Sequence, residues 1–468
     1  MDFFDMMFIK NSGGGGSGSS FTIEPLNVTE NGTYSASSGY AFDPVTVSVS
    51  GIVPSGTYSI SANGVYDVAS YASADVNVPA SGGFSYDDIA LKDISGIATG
   101  SASGIFLYAF HGCSTLVGAS FPNAISIASY AFTNCSGLIS ADFPNAEILY
   151  ASAFFQCYSL RDINFPKVSD IGNNAFFQCY SLENAYFPLA EWVNQSAFYT
   201  CSALQNAYFP KVKNIAPSAF VSCKNLETIT LSPGLSQISS SAFYNCYKLK
   251  SISASNVTIL GTYCFTSCKE LSIVDFPNLS IVPSGAFDGC SKLISVVFPN
   301  VSSIGQVAFR SCNSLVTADF SSATHIGQSA FQDCSSLISI SFPQATTIQI
   351  AAFRKCRALV SAYFPNVTSL NSGNTFVSCT SLIMASLPKV TSIPNYTFQG
   401  CYNLLSLYLM GDFVVGVGQF EVFASTPISD YTASTGGVYG SIYVPSSLYD
   451  QYIVADNWSA YASRFVSV

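Results

Sequence analysis

The sequence predicts an α/β solenoid, a chain wound through many similar turns with short parallel strands along one side. Three observations predict it. The stretch AFFQCYSL occurs at 153–160 and again at 175–182, so the chain repeats itself after 22 residues. Cysteine keeps the same interval: Cys113, Cys135, Cys157, Cys179, Cys201, Cys223, Cys246, Cys268, Cys290, Cys312, Cys334, Cys356, Cys379 and Cys401 form fourteen copies, with two steps of 23 residues, after Cys223 and Cys356. Finally, one such unit cannot bury its own apolar face, whereas stacked units can.

The unit CYSLRDINFPKVSDIGNNAFFQ, 157–178, shows the elements in order. Ile163 and Phe165 alternate with Asp162 and Asn164, the period of a short strand with one face in and one out. Pro166 has no amide hydrogen and ends the ladder. Val168 and Ile171 bring the chain back inward. Ile171, Ala175, Phe176 and Cys179 stand at i, i+4, i+5 and i+8, which predicts one apolar face of a short helical return. The array therefore has about 14 units of 22–23 residues over 107–409, each a short parallel strand plus a short helical return.

The fixed cysteine reads as a structural core column, because free cysteine packs as a small and often buried hydrophobe. Disulfides between neighbouring turns are a rival reading, since parallel strands stand ~4.8 Å apart. Against them, equivalent side chains point the same way, and a reducing compartment would break such bonds. Cys264 alone falls outside the series and stands where other units carry Ala242 or Ala286. It pairs closely only with Cys268, with no histidine nearby, so no metal site is expected.

The flanks differ in composition. Residues 1–20 form a leader and a Gly/Ser linker, SGGGGSGSS. Residues 21–52 and 53–80 read as two small all-β modules, since NGTYSASSGYAFDPVTVSV matches NGVYDVASYASADVNVP at Asn-Gly, at Tyr34/Tyr66 and at the closing Val-x-Val. Residues 81–106 are a linker and N-terminal cap of the solenoid, and 410–468 its C-terminal cap, without which the last turn would expose core. The start, MDFFDMMFIK, has no basic stretch before an apolar run, so folding in a reducing cytoplasm is expected.

Composition excludes several functions. Acidic residues outnumber basic ones 27 to 17, the net charge is -10, and only 9% of residues are charged. Such a chain is a poor partner for phosphate backbones, so no nucleic acid is expected. No apolar run approaches the ~20 residues of a spanning helix, so no membrane insertion is expected either. The two histidines, His111 and His325, lie nearly ten units apart, and no Cys/His dyad, Gly-rich phosphate loop or carboxylate pair stands out. The expectation is no catalysis and no cofactor.

The variable positions point to binding. Two outward strand positions per unit make 28 in all, rich in Ser, Asn, Asp and Tyr, and none is Lys or Glu. Tyrosine gives contact area at low entropy cost, and small polar residues give hydrogen bonds. The candidate ligand-binding residues are Asp162, Asn164, Asn184, Tyr186, Asn206 and Tyr208, with Tyr363 and Tyr408 as further places. A merely solvated sheet face is the competing reading.

The pattern Cys-x-x-Leu-x-x-(Ile/Ala)-x-Phe-Pro…Ile-x-x-x-Ala-Phe-x-x-Cys resembles the BspA-type, or Treponema-type, leucine-rich repeat. IYVP and NWSAYASRF, within 423–465, resemble the C-terminal cap of bacterial and phage proteins of that family. The short leader, glycine run and LNVTENGTY…VTVSV resemble the N-termini of tail-associated proteins of phages and prophages. These resemblances imply a non-enzymatic adhesion or receptor-binding protein of a phage tail, assembled in the bacterial cytoplasm and carried on the virion. Its sheet would bind a bacterial surface glycan or protein, and its N-terminal region would meet other virion tail proteins. The alternatives are a BspA-like adhesin on a bacterial cell surface and a purely structural virion spacer. Homo-oligomerisation stays open.

Overall fold

The structure is a computed structural model that describes residues 103–105, 107–429 and 438–468, together with the strands between Leu26 and Gly100. From Gly96 onward the chain is a parallel-strand solenoid of about 16 turns. The turns contribute short strands to two parallel rows, the first and second sheet, each hydrogen-bonded in blocks separated by interruptions. Asp162–Asn164, Asn184–Tyr186 and Asn206–Phe209 belong to the first sheet, and Asp170–Ile171, Trp192–Val193 and Asn214–Ile215 to the second. Register advances by one whole unit, so Ser140 faces Asp162 in the first sheet and Asp170 faces Trp192 in the second. The Phe-Pro corner separates the two strands, because Pro cannot donate to a ladder.

The predicted helical return is not there. The arc after the second strand is a run of turns, and the single α-helix among the described residues is Tyr449–Tyr452, near the C-terminus. The reason lies in where the amides point. Ala153, Phe155 and Cys157 close three-residue turns onto the carbonyls of Tyr150, Ser152 and Phe154. The amides between them, on Ser152, Phe154 and Gln156, donate instead to Asn173, Ala175 and Phe177 of the next turn. A helix would use every amide within itself. Here alternate amides stitch one turn of the solenoid to the next. That alternation needs two left-handed residues per arc, such as Ser152 and Gln156, both with φ 58°. The i, i+4, i+5, i+8 spacing reports an inward face correctly but does not distinguish a helix from this arc.

The core is a set of columns along the solenoid axis. Phe110, Phe132, Phe154, Phe176 and Phe198 stack with centroids 4.8 to 5.4 Å apart, and the column continues to Phe423. A second column, Phe121, Phe143, Phe165, Phe187 and Phe209, supplies the other wall and meets the first edge-on, as Phe132 and Phe143 do. All fifteen cysteines are buried free thiols. Cys264 is fully buried beside the Phe column, at the repeat's alanine position.

The C-terminal segment covers the end of these columns. Ser441–Val444 pairs in parallel with Ser406–Tyr408 and with Phe465–Ser467. Trp458 is buried against Phe423 and donates its Nε1 hydrogen to the Val415 carbonyl at 2.6 Å. At the other end Gly96–Gly100 pairs with Leu116–Ser120 and extends the first sheet beyond the cysteine series. Of the more N-terminal strands, Gly32–Ala36 pairs antiparallel with Val45–Val49, and Leu26–Val28 with Gly56–Ile60. The residues of the leader and glycine linker lie outside the described ones.

Candidate ligand-binding surface

The first sheet's outward face is built by alternation. In the strands Asn184–Tyr186 and Asn206–Phe209, Ala185 and Ala207 are buried, and their neighbours point out. The parallel register then fixes which side chains meet: Asn184 faces Asn206, and Tyr186 faces Tyr208. The two tyrosine rings stack 5.0 Å apart at 9°.

Polar side chains on this face are tied into short ladders. Ser120 Oγ donates to Asp142 Oδ2 at 3.0 Å, and Asn164 Nδ2 donates to Asp142 Oδ1 at 2.7 Å. On the next block, Asn206 Nδ2 donates to Asn184 Oδ1 at 3.0 Å, and Thr228 Oγ1 donates to Asn206 Oδ1 at 2.8 Å. The main-chain ladder is interrupted between Asp162–Asn164 and Asn184–Tyr186, though these strands remain neighbours. Neither side-chain ladder crosses that gap.

The gap leaves unspent groups side by side. The exposed Asp162 carboxylate has no hydrogen-bond partner, and neither Asn164 Oδ1 nor the Asn184 amide hydrogens are engaged. Stacking covers the inner faces of Tyr186 and Tyr208, so the rings offer a ligand only their outer faces and edges. The outer face of Tyr186 looks along its column towards the shorter Asn164, and that of Tyr208 towards Thr230. Tyr186 is 58% exposed and Tyr208 38%, so the open flank is on the Tyr186 side. An apolar ring face beside an unpaired carboxylate, a carbonyl oxygen and amide donors suits a sugar: C–H groups on the ring, hydroxyls on the polar atoms.

The other two candidate tyrosines are elsewhere. Tyr363 is exposed on its own strand between Ser341 and Ser386, without an aromatic neighbour in its column. Tyr408 is half-buried and stacks at 4.5 Å and 10° on Tyr443 of the C-terminal segment, a partner the repeat pattern does not reveal. The eight residues are therefore not one site, and only the first six lie together.

Further aromatics occupy the arc, on another face of the solenoid. Phe155, Phe177 and Tyr199 stack 4.7 and 4.8 Å apart, and Tyr158 stacks on Tyr180 at 5.1 Å. The duplicated AFFQCYSL encodes most of this cluster. His325 Nδ1 lies 2.9 Å from Thr347 Oγ1 in the second sheet. Among the described residues no group of three or more His, Cys, Asp or Glu side chains could hold a metal ion.

Burial pushes the Cys179, Cys201 and Cys223 thiols upward from 9.0, away from the thiolate that reaction or metal binding would need. From Cys135 onward, each cysteine of the series also donates a hydrogen bond to the turn before it. Cys157 Sγ donates to the Phe132 carbonyl at 3.0 Å and Cys179 Sγ to the Phe154 carbonyl at 3.2 Å.

Comparison with known proteins places these observations. The BspA type leucine rich repeat region matches residues 91–204, 191–316, 274–383 and 324–434. A leucine-rich repeat protein from Bacteroides ovatus is similar in structure, with 20% identity, a TM-score of 0.57, and coverage of 97% of this chain and 99% of that one. A leucine rich cell surface protein from Faecalibacterium prausnitzii shows 19% identity and a TM-score of 0.40 over 78% of this chain and 96% of its own. The pneumococcal vaccine antigen PcpA shows 17% identity and a TM-score of 0.43 over 90% and 95%. The first of these shows the shared fold, and the other two add nothing to that. No curated protein matches the chain.

Proposed function

Because the chain belongs to the BspA-type leucine-rich repeat family, we propose that it is a non-enzymatic adhesion protein of a bacterial cell surface that binds a surface glycan through its first sheet. The observation that supports this most is the flank of Tyr186, where an open ring face adjoins the unpaired Asp162, Asn164 and Asn184 groups. Strand pairing holds the backbone on both sides of the gap, so a ligand meets a preformed surface and loses little to ordering. The face has no cation at its outward positions and carries Asp142, Asp162, Asp275 and Asp319. A neutral glycan therefore fits it better than an anionic one.

The test is an array of bacterial and host glycans and surface proteins probed with the whole chain. Retention of a neutral glycan, displaced by the free sugar, supports the reading. Retention of proteins alone contradicts it.

A second reading is a phage tail protein that uses the same face to bind its host. It rests on the leader, glycine run and tandem Asn-Gly segments at 1–80. Immunogold labelling separates the two: label on intact cells supports the adhesin, and label on purified virions supports the tail protein.

A further inference from the structure

Charge is unevenly distributed along the chain. Of the 17 lysines and arginines, 14 fall within 107–409, against 12 of the 27 acidic residues, so the array is slightly basic inside an acidic chain. None of those 14 is at an outward position of the first sheet. A compact group occupies the two residues after each cysteine, where the arc runs into the next first-sheet strand. Lys224, Lys248, Lys269 and Lys292 lie there on four successive turns, all exposed.

The backbone holds these residues next to one another. The Lys248 amide donates to the Lys224 carbonyl at 3.3 Å, Glu270 to Tyr247 at 3.0 Å, and Lys292 to Lys269 at 3.1 Å. Tyr247 sits between two of the cations: the Lys269 ammonium is 4.6 Å and that of Lys224 6.0 Å from its ring centroid. The ring thereby steadies two charges two turns apart, roughly 10 Å along the axis. Acidic neighbours are few. Glu227 is taken by Lys250 at 2.5 Å. Glu270 lies between Lys248 and Lys292 and forms an ion pair with neither. Five lysines thus stand against Glu227 and Glu270, a local net charge of +3 in a chain of -10. Unpaired, exposed, like-charged side chains on adjacent turns repel one another, so the group costs stability that a bound anion would restore.

We propose that this stripe binds a linear anionic polysaccharide running along the solenoid axis, its carboxylates or sulfates on the lysines and its sugar rings along the Tyr247 edge. A row of charges, one on each of four successive turns and alternating between two adjacent positions, matches a linear polymer better than a compact anion. The site is separate from the Tyr186 flank and differs from it in sign, so the two would take different glycans.

The experiment measures binding of the whole protein to heparin, polygalacturonate, neutral dextran and double-stranded DNA at two salt concentrations. The proposal predicts binding to heparin or polygalacturonate that weakens steeply with salt, and none to dextran. It predicts a loss of about tenfold or more in the variant carrying K224Q, K248Q, K269Q and K292Q, and retention when the same four become arginine. Tyr186→Ala should leave this binding unchanged, which separates its failure from that of the first-sheet site. If the fourfold glutamine variant melts below the native protein, the pair K248Q and K292Q gives the same reading through a smaller loss. Binding to neither anionic glycan, equal binding by the glutamine variants, or equally tight binding to DNA would overturn it.

Discussion

The thiol of Cys201 donates a hydrogen bond to the carbonyl oxygen of Phe176, one turn back, at 3.0 Å. The same oxygen accepts the amide of Cys179 at 3.2 Å. The thiol therefore occupies the second lone pair of a buried carbonyl while filling a small apolar space. The arrangement recurs along the column, as in Cys246 to Phe220 and Cys334 to Phe309. This dual role explains why cysteine, rather than alanine or valine, keeps the position.

Cys201→Ala should therefore cost on the order of 1–2 kcal/mol, part packing and part lost hydrogen bond. Cys201→Ser keeps a donor and should lose less than Cys201→Ala. Denaturant unfolding of both variants checks this. A serine variant less stable than the alanine one would reduce the thiol to a space filler.

The column also predicts an alkaline limit. Burial raises the folded-state pKa of Cys223, Cys268 and Cys334 far above 9.0. Above about pH 9 the unfolded chain loses thiol protons that the folded chain retains. The stability these groups contribute is thus fully present below pH 9 and is lost as pH rises. Each such thiol removes up to about 1.4 kcal/mol per pH unit. Unfolding midpoints should be flat from pH 7 to 8.5 and fall steeply above pH 9. In the native protein at neutral pH, maleimide should react with these thiols only as fast as the chain unfolds.

The arcs carry left-handed backbone at residues other than glycine, and this strain is open to relief. Ala351 has φ 58°, at the position held three units earlier by Gly285 with φ 64°. Ala351→Gly should raise stability by up to about 1 kcal/mol, less the added flexibility of the unfolded chain. Gln156→Pro should do the opposite, by roughly 3 kcal/mol or more, since proline cannot adopt φ 58° and removes the amide bonded to Phe177. Thermal melts of the two variants shifting in the same direction would contradict the arc geometry.

Much of this architecture was legible because a repeat writes each structural rule many times. Cysteine spacing gave the turn length, and the alternation around Ile163 gave the first strand and its outward residues. The second sheet was not legible, since a two-residue strand such as Asp170–Ile171 is too short to show a period. The arc was misread as helix because an inward Ala-Phe-x-x-Cys face is shared by both conformations, and only the alternating amide directions tell them apart. At the candidate site, the parallel register placed Tyr186 beside Tyr208 from sequence alone. The interruption of the ladder between Asn164 and Asn184, beside which groups stand free for a ligand, is visible only in the strand pairing. No residue type marks it. The lysine stripe was hidden by the whole-chain charge of -10, which averages a basic array with acidic flanks.

The central claim is that the Tyr186 flank binds a surface glycan. The most direct measurement is calorimetric titration of the glycan selected from the array into the native protein and into the Tyr186→Ala/Tyr208→Ala double variant, with melting temperatures confirming the fold. Losing one well-stacked aromatic contact should weaken binding by about tenfold, corresponding to ~1.5 kcal/mol. Binding of unchanged affinity in a folded double variant would contradict the claim.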